Sequence, residues 1–218
     1  MTEMFEFVLP KIEQINLPEG RRYKTPEGKL YPSVTTVLSL LSNAYINEWR
    51  AKVGDEVANE ISKKAATRGS RMHELCEKYI RKEKYNLNPF EVGANILFKQ
   101  LIPYLEKMQL VYALEAGLYS DKIKVAGTVD CIARIDEITY IVDFKSSSGH
   151  KNSEDIPGYF MQASAYAIMW YERTGMVIED IKILISTDEG YVLEYNEKVK
   201  NWLPKFVALR KEYEEKHE

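Results

Sequence analysis

The chain has 218 residues, 45% of them apolar, and 30 Lys and Arg against 33 Asp and Glu leave a formal charge of −3. That apolar share suffices to bury the core of one large domain, or of one domain with a helical annex. No apolar run approaches the roughly 18 residues of a membrane span. The opening MTEMFEFVLP has neither the basic-then-apolar order of a secretory signal nor the Arg- and Ser-rich bias of a transit peptide. Cys76 and Cys131 alone cannot make a disulfide framework, a four-cysteine zinc site or a cysteine-ligated iron–sulfur cluster.

No repeat, low-complexity stretch or Ser/Gly linker divides the chain. The expectation is one domain over residues 1–218: an N-terminal hairpin and helices over 1–60, a core over 61–195 and a closing helix over 196–218. Residues 21–24 and 29–31 flank Thr25-Pro26-Glu27-Gly28, where Pro followed by Gly signals a turn, so a small hairpin is expected. Ser33 is a candidate N-cap for a helix in the apolar stretch 34–41. Helices are expected over 44–60 and 61–85. In the second, Ile61, Ala65, Met72, Cys76, Tyr79 and Ile80 recur at helical spacing. Another is expected over 89–108, with Pro103 as its breaking or kinking point. Residues 110–119, 124–135 and 138–146 are rich in β-branched and aromatic side chains and read as strands. Helical periodicity returns over 157–174. Two strands follow, over 181–186 and 191–195, around Asp188-Glu189-Gly190, and a last helix runs from about 197 to 214. The mixed-charge end, 210–218, reads as a fraying helix terminus. This order predicts an α/β (α+β) fold with one central mixed sheet flanked by helices.

Two aspartates stand where a strand would carry apolar side chains: Asp130 in Gly127-Thr128-Val129-Asp130-Cys131-Ile132, and Asp143 in Tyr140-Ile141-Val142-Asp143-Phe144-Lys145. Alternation puts Asp143 and Lys145 on one face, with Val142 and Phe144 on the other. If Asp136-Glu137 is a two-residue turn, Ile135 faces Ile138, and counting back along both strands Asp130 faces Asp143. Like charges so placed destabilise a sheet unless something positive lies between them. A divalent metal and Lys145 are the candidates. A structural Asp143–Lys145 ion pair, with Asp130 a loop or cap residue, is the competing reading of either aspartate alone. Glu115, between Leu114 and Ala116, alternates onto the aspartates' side or faces solvent. Oxygen ligands select a hard cation, Mg²⁺ or Mn²⁺, which keeps waters and accepts phosphate oxygens. By spacing alone, His73 beside Met72, Cys76 and Ile80 reads as a core histidine, and Gln162 and Tyr166 as polar residues at the edge of an aromatic stripe. Residues 61–85 carry eight Lys and Arg against three Glu, a solvated face or a phosphate track that includes Arg68 and Arg71.

Taken in order, Asp130, then Asp143-Phe144-Lys145, then Gln162 and Tyr166 on the next helix resemble the PD-(D/E)XK nuclease superfamily. Within it the chain resembles the RecB-type nucleases, whose upstream helix carries a His, here in Arg68-Gly69-Ser70-Arg71-Met72-His73. The segment Leu30-Tyr31-Pro32-Ser33-Val34-Thr35-Thr36-Val37-Leu38 is similar to that of phage-encoded exonucleases and the mitochondrial genome maintenance exonucleases. The resemblance spans residues 21–195. It implies a restriction-endonuclease-like core in which His73, Asp130, Asp143 and the Phe144 carbonyl bind Mg²⁺ or Mn²⁺. It also implies that Lys145 serves the attacking water and that Glu115 supports the metal. By the same resemblance Gln162 and Tyr166 contact the strand, and Ser33 and Thr35 hold a phosphate. Many RecB-type relatives bind an iron–sulfur cluster through four cysteines, which this chain lacks. The resulting expectation is a metal-dependent DNA exonuclease acting on single strands or free ends in replication, recombination or repair, in the cytoplasm of a bacterium or a phage-infected host. The alternatives are a structure-selective endonuclease and a non-catalytic nucleic-acid-binding module.

Overall fold

The computed structural model describes residues 2–5 and 7–217. Its centre is a six-stranded mixed sheet ordered β1-β5-β6-β7-β8-β9. These strands are β1 (Glu3–Met4), β5 (Met108–Ser120), β6 (Val125–Ile135), β7 (Ile138–Ser147), β8 (Asp180–Thr187) and β9 (Val192–Lys198). Strands β5 to β7 form an antiparallel meander, β7 and β8 are parallel, and β8 and β9 antiparallel. The parallel step needs a crossover, and helix α5 (Pro157–Thr174) provides it. Pro157 starts that helix, where a missing N–H costs nothing, and Gly175 stops it in the left-handed region at φ 75°.

The two faces of the sheet bury separate apolar clusters. On one, Ile132, Ile141, Ile181, Ile183 and Ile185 pack under Phe160, Ala163 and Trp170 of α5 and Phe206 of α6 (Val199–His217). On the other, Cys131, Ala133, Val142, Phe144 and Leu184 pack under Met72 and Leu75 of α3 (Asp55–Ile80) and Leu97, Phe98 and Leu101 of α4 (Val92–Leu105). Period-2 alternation splits the strand residues between these faces. Val142 and Phe144 therefore go to the side away from Asp143 and Lys145, as expected.

A second, three-stranded antiparallel sheet joins β2 (Glu13–Leu17), β3 (Gly20–Lys24) and β4 (Leu30–Pro32). The β3–β4 hairpin agrees with the sequence; β2, with its largely exposed EQINL, does not announce itself there. Helix α1 (Val34–Leu38) follows, capped by Ser33, whose Oγ accepts the Thr36 N–H at 2.9 Å. A 3₁₀ turn (Ser39–Leu41) leads to α2 (Asn43–Val53). The expected break between 60 and 61 is misplaced: it falls at Gly54, φ 86°, a conformation that ends a helix at little cost only for glycine. Consequently the division at 60/61 lies inside α3, and that at 195/196 inside β9. Pro103 lies in the last turn of α4, which runs on to Leu105. Among the described residues no helix is long and apolar enough to cross a membrane.

Candidate metal centre

The β6–β7 hairpin positions both aspartates. Its turn has Asp136 and Glu137 at φ 49° and 64°, two left-handed residues as a type I′ turn requires. The register runs from Ile135–Ile138 to Cys131–Val142, as the two-residue turn predicts. The next pair would be Asp130 and Asp143, and there the ladder gives way to a side chain: Asp130 Oδ2 accepts the Phe144 N–H at 2.8 Å. On the other side of β6 the pairs Leu114–Cys131 and Ala116–Val129 bracket Glu115 and Asp130. Glu115 is left-handed, φ 47°, a conformation costing a non-glycine residue about 1–2 kcal/mol. Leu114 packs with the α3/α4 cluster and Ala116 with the α5/α6 cluster, so the face changes at Glu115. Plain alternation is thus not what brings Glu115 to the aspartates; a break in alternation does.

Helix α3 delivers His73 to the same point. Its Nδ1 lies 3.6 Å from Glu115 Oε1 and 3.6 Å from Asp130 Oδ1. One donor atom from each of these three residues falls within 4.8 Å of the others. Donors around an octahedral ion at about 2.1 Å stand about 3 Å apart when adjacent and about 4.2 Å when opposite, and the two 3.6 Å separations from His73 lie in that range. Burial works against charging His73, but Asp130 and Glu115 outweigh it and hold the imidazole pKa at about 8. A proton there stands in the electrostatic place of a cation.

Asp143 lies outside that trio. It is 1% exposed, neither of its oxygens accepts a hydrogen bond among the described residues, and its counter-ion is Lys145 Nζ at 2.5 Å. Burial pushes its carboxyl up to about 6 against the pull of Lys145. A buried carboxylate without hydrogen-bond donors calls for a cation. Lys145 is that cation here, and the neighbouring trio's carboxylates are what a metal would satisfy. Burial favours a neutral Lys145, yet Asp143 and Asp130 overcome it and keep the ammonium charged; the Tyr159 ring, 5.2 Å away, lies beneath it. Phe144 contributes its N–H to Asp130, and its ring stands edge-on to His73.

His73, Glu115, Asp130 and Lys145 open into a cleft of about 450 Å³ that also contains Ser33, Thr35, Gln162 and Tyr166. Ser33 Oγ, besides capping α1, lies 2.9 Å from Thr35 Oγ1. Gln162 and Tyr166, one turn apart on α5, are both buried and meet at 3.5 Å. Gly127 makes room for the tyrosine: a Cβ there would come within 3.0 Å of its Oη. Arg68 and Arg71 are not brought to the cleft. Arg68 holds Asp188 at 2.7 Å, Arg71 holds Glu74 at 2.6 Å and Glu91 at 2.8 Å, and both line a neighbouring groove. The cleft also contains Tyr23, Glu74, Glu77 and Thr128, which sequence reasoning did not select, and Arg21, which belongs in the sequence to the basic cluster Arg21, Arg22, Lys24 and Lys29. Glu77 was findable, four residues from His73 on one helix face. Tyr23 was not, because its Oη reaches Thr128 Oγ1 (3.5 Å) only through docking of the small sheet on β6.

No family model matches the chain, and no curated protein matches it. Among solved structures it is similar to one from Eubacterium rectale described as a "Putative exonuclease", with 11% identity, a TM-score of 0.34, and coverage of 80% of this chain and 68% of that one. At that distance the reading of the site rests on its own residues.

Proposed function

We propose that the chain is a metal-dependent nuclease that hydrolyses DNA phosphodiesters, trimming single strands from free ends in replication, recombination or repair. The observation that carries this reading is the convergence, in one cleft, of the His73, Glu115 and Asp130 donors with Lys145, which the buried Asp143 holds from behind the lining. His73, Glu115, Asp130 and Asp143 would hold Mg²⁺ or Mn²⁺, with the Phe144 carbonyl a further ligand by resemblance. The ion supplies a bound water of lowered pKa and screens the phosphate charge. Lys145 serves the attacking water. It donates a hydrogen bond that orients the attacking water, or meets charge developing on the phosphoryl oxygens. Asp143 fixes that ammonium. Gln162 and Tyr166 contact the strand beside the scissile bond, and the Ser33 and Thr35 hydroxyls hold a neighbouring phosphate. The preference for free single-stranded ends, and a setting in the cytoplasm of a bacterium or phage-infected host, rest on the family resemblance.

The test uses end-labelled linear and circular single-stranded DNA and duplex controls, with Mg²⁺, Mn²⁺ or EDTA, for wild type and Asp143→Ala. Loss of linear DNA alone, requiring both metal and Asp143, is the expected result. Cutting of circles would make the protein an endonuclease. Binding without cutting under every condition would make it a nucleic-acid-binding module.

A further inference from the structure

We propose that Arg21 grips a phosphate of the nucleic-acid strand in the cleft, an inference that rests on the nuclease reading above. A polyanion entering this cleft meets the carboxylates of Glu74, Glu77, Glu115 and Asp130. Against them the lining offers two permanent cations, Lys145 and Arg21. Lys145 is committed to Asp143. Glu74 is offset by Arg71 and Lys78, and Glu77 by Arg81. Arg68 and Arg71 could reach a phosphate only by releasing their own carboxylates.

Arg21 differs from all of these. It is exposed, and its guanidinium has no ion pair or hydrogen bond among the described residues. Its main chain, by contrast, is pinned. The Arg21 carbonyl accepts the Ser33 N–H at 2.9 Å and the Thr36 hydroxyl at 3.0 Å. The preceding Gly20, at φ 130°, sits so close to α1 that a Cβ would come within 2.6 Å of the Thr36 methyl. The start of β3 is therefore seated on the N-terminus of α1, beside Ser33 and Thr35. A guanidinium on a fixed backbone, without a competing carboxylate, is suited to bind phosphate in bidentate fashion. It stands on the β3–α1 side of a cleft whose carboxylates come from α3, β5 and β6. That arrangement supplies the strand with a positive anchor separate from the metal.

The experiment measures cleavage of a single-stranded oligonucleotide with Mn²⁺ over a series of salt concentrations. It compares wild type, Arg21→Gln, Arg21→Lys and Lys24→Gln. Arg21→Gln is expected to raise KM about tenfold, with kcat changed by less than about twofold. It should also reduce the slope of log KM on log salt by about 0.7, one phosphate contact on a single strand. Arg21→Lys should keep the slope and recover part of the KM. Lys24→Gln removes the same charge from the same small sheet outside the cleft lining, and should leave both quantities near wild type. Unchanged KM and slope in Arg21→Gln, or the same change in Lys24→Gln, would overturn the assignment. A wild type that does not cut, or an Asp143→Asn variant that cuts normally, would instead overturn the nuclease reading. In that case fluorescence anisotropy on the same oligonucleotide decides the Arg21 question: an unaltered Kd and salt slope in Arg21→Gln refutes it.

Discussion

If His73 is a metal ligand, an incoming ion must displace its proton, and the pH dependence of metal affinity follows from the site. With its pKa held at about 8, His73 is protonated in about nine molecules of ten at pH 7 and in about half at pH 8. Apparent affinity for Mn²⁺ should then rise about ninefold from pH 6 to 7 and about fivefold from pH 7 to 8 before levelling. Asp143, at about 6, adds nearly twofold in the lower interval if it too binds the ion. A histidine at its ordinary value would level off near pH 7.5. The same proton stabilises the metal-free fold. A pKa raised from 6.5 contributes stability that is complete below 6.5 and lost as pH rises through 8. That loss is at most about 2 kcal/mol, less for solvent reaching a side chain that is a quarter exposed. The assay is thermal melting of EDTA-stripped protein titrated with Mn²⁺ at pH 6, 7 and 8. At a hundredfold excess over Kd the ion should stabilise by about 2.7 kcal/mol, or roughly 5–10 °C for a chain of this length. The fitted Kd should tighten with pH as stated, and His73→Gln should flatten the rise between pH 7 and 8. A Kd independent of pH, or a melting shift that survives unchanged in Asp130→Asn, would refute the reasoning.

Lys145→Met should lower kcat by about 10²–10³ while the metal-induced melting shift persists; a change confined to KM, measured by steady-state cleavage, would remove Lys145 from the chemistry. Glu115→Gly relieves the left-handed strain, so metal-free stability should hold or rise by up to about 1 kcal/mol in urea unfolding, while Mn²⁺ affinity falls; the reverse pattern would contradict the role of that left-handed residue. Gly127→Ala drives a Cβ against Tyr166 and should cost about 1–3 kcal/mol along with activity, whereas an unaltered kcat would separate Tyr166 from the reaction. Phe98→Ala, on the buried face of α4, should cost about 3–5 kcal/mol in the same urea assay with the metal affinity of the remaining folded protein unchanged.

The hairpin shows what can be read from residues alone. A two-residue turn sets the register of both strands, and a period of two then assigns every side chain to a face. Asp130, Asp143 and Lys145 were legible for that reason, and the Cys131–Val142 pair bears the register out. For Glu115 the sequence left two readings open, the aspartates' side or solvent, and the structure puts it beside Asp130 and His73. The left-handed kink that directs it is a property of β5 packed against β6, and no local residue preference announces it. Gly54 was an available stop signal that the run of good helix formers on both sides obscured. Arg68 looked free because its partner Asp188 is distant in the chain, whereas Arg71 is held both by Glu91 and by Glu74, one helical turn away.

The amino-acid sequence by itself determined the order of the elements, the mixed sheet with helices on both faces, and the placing of Asp130, Asp143 and Lys145 on one hairpin. These follow from periodicity and turn chemistry, which act over a few residues. Only the tertiary structure decided which donors converge. His73 arrives on a helix from the N-terminal half, Glu115 by a backbone kink, and Arg21 on a small sheet seated against α1. It also decided that Asp143 faces Lys145 rather than the close trio. The physical reason is that burial and charge partnership depend on distances between segments far apart in the chain, and those distances are set by how two apolar clusters close on the sheet.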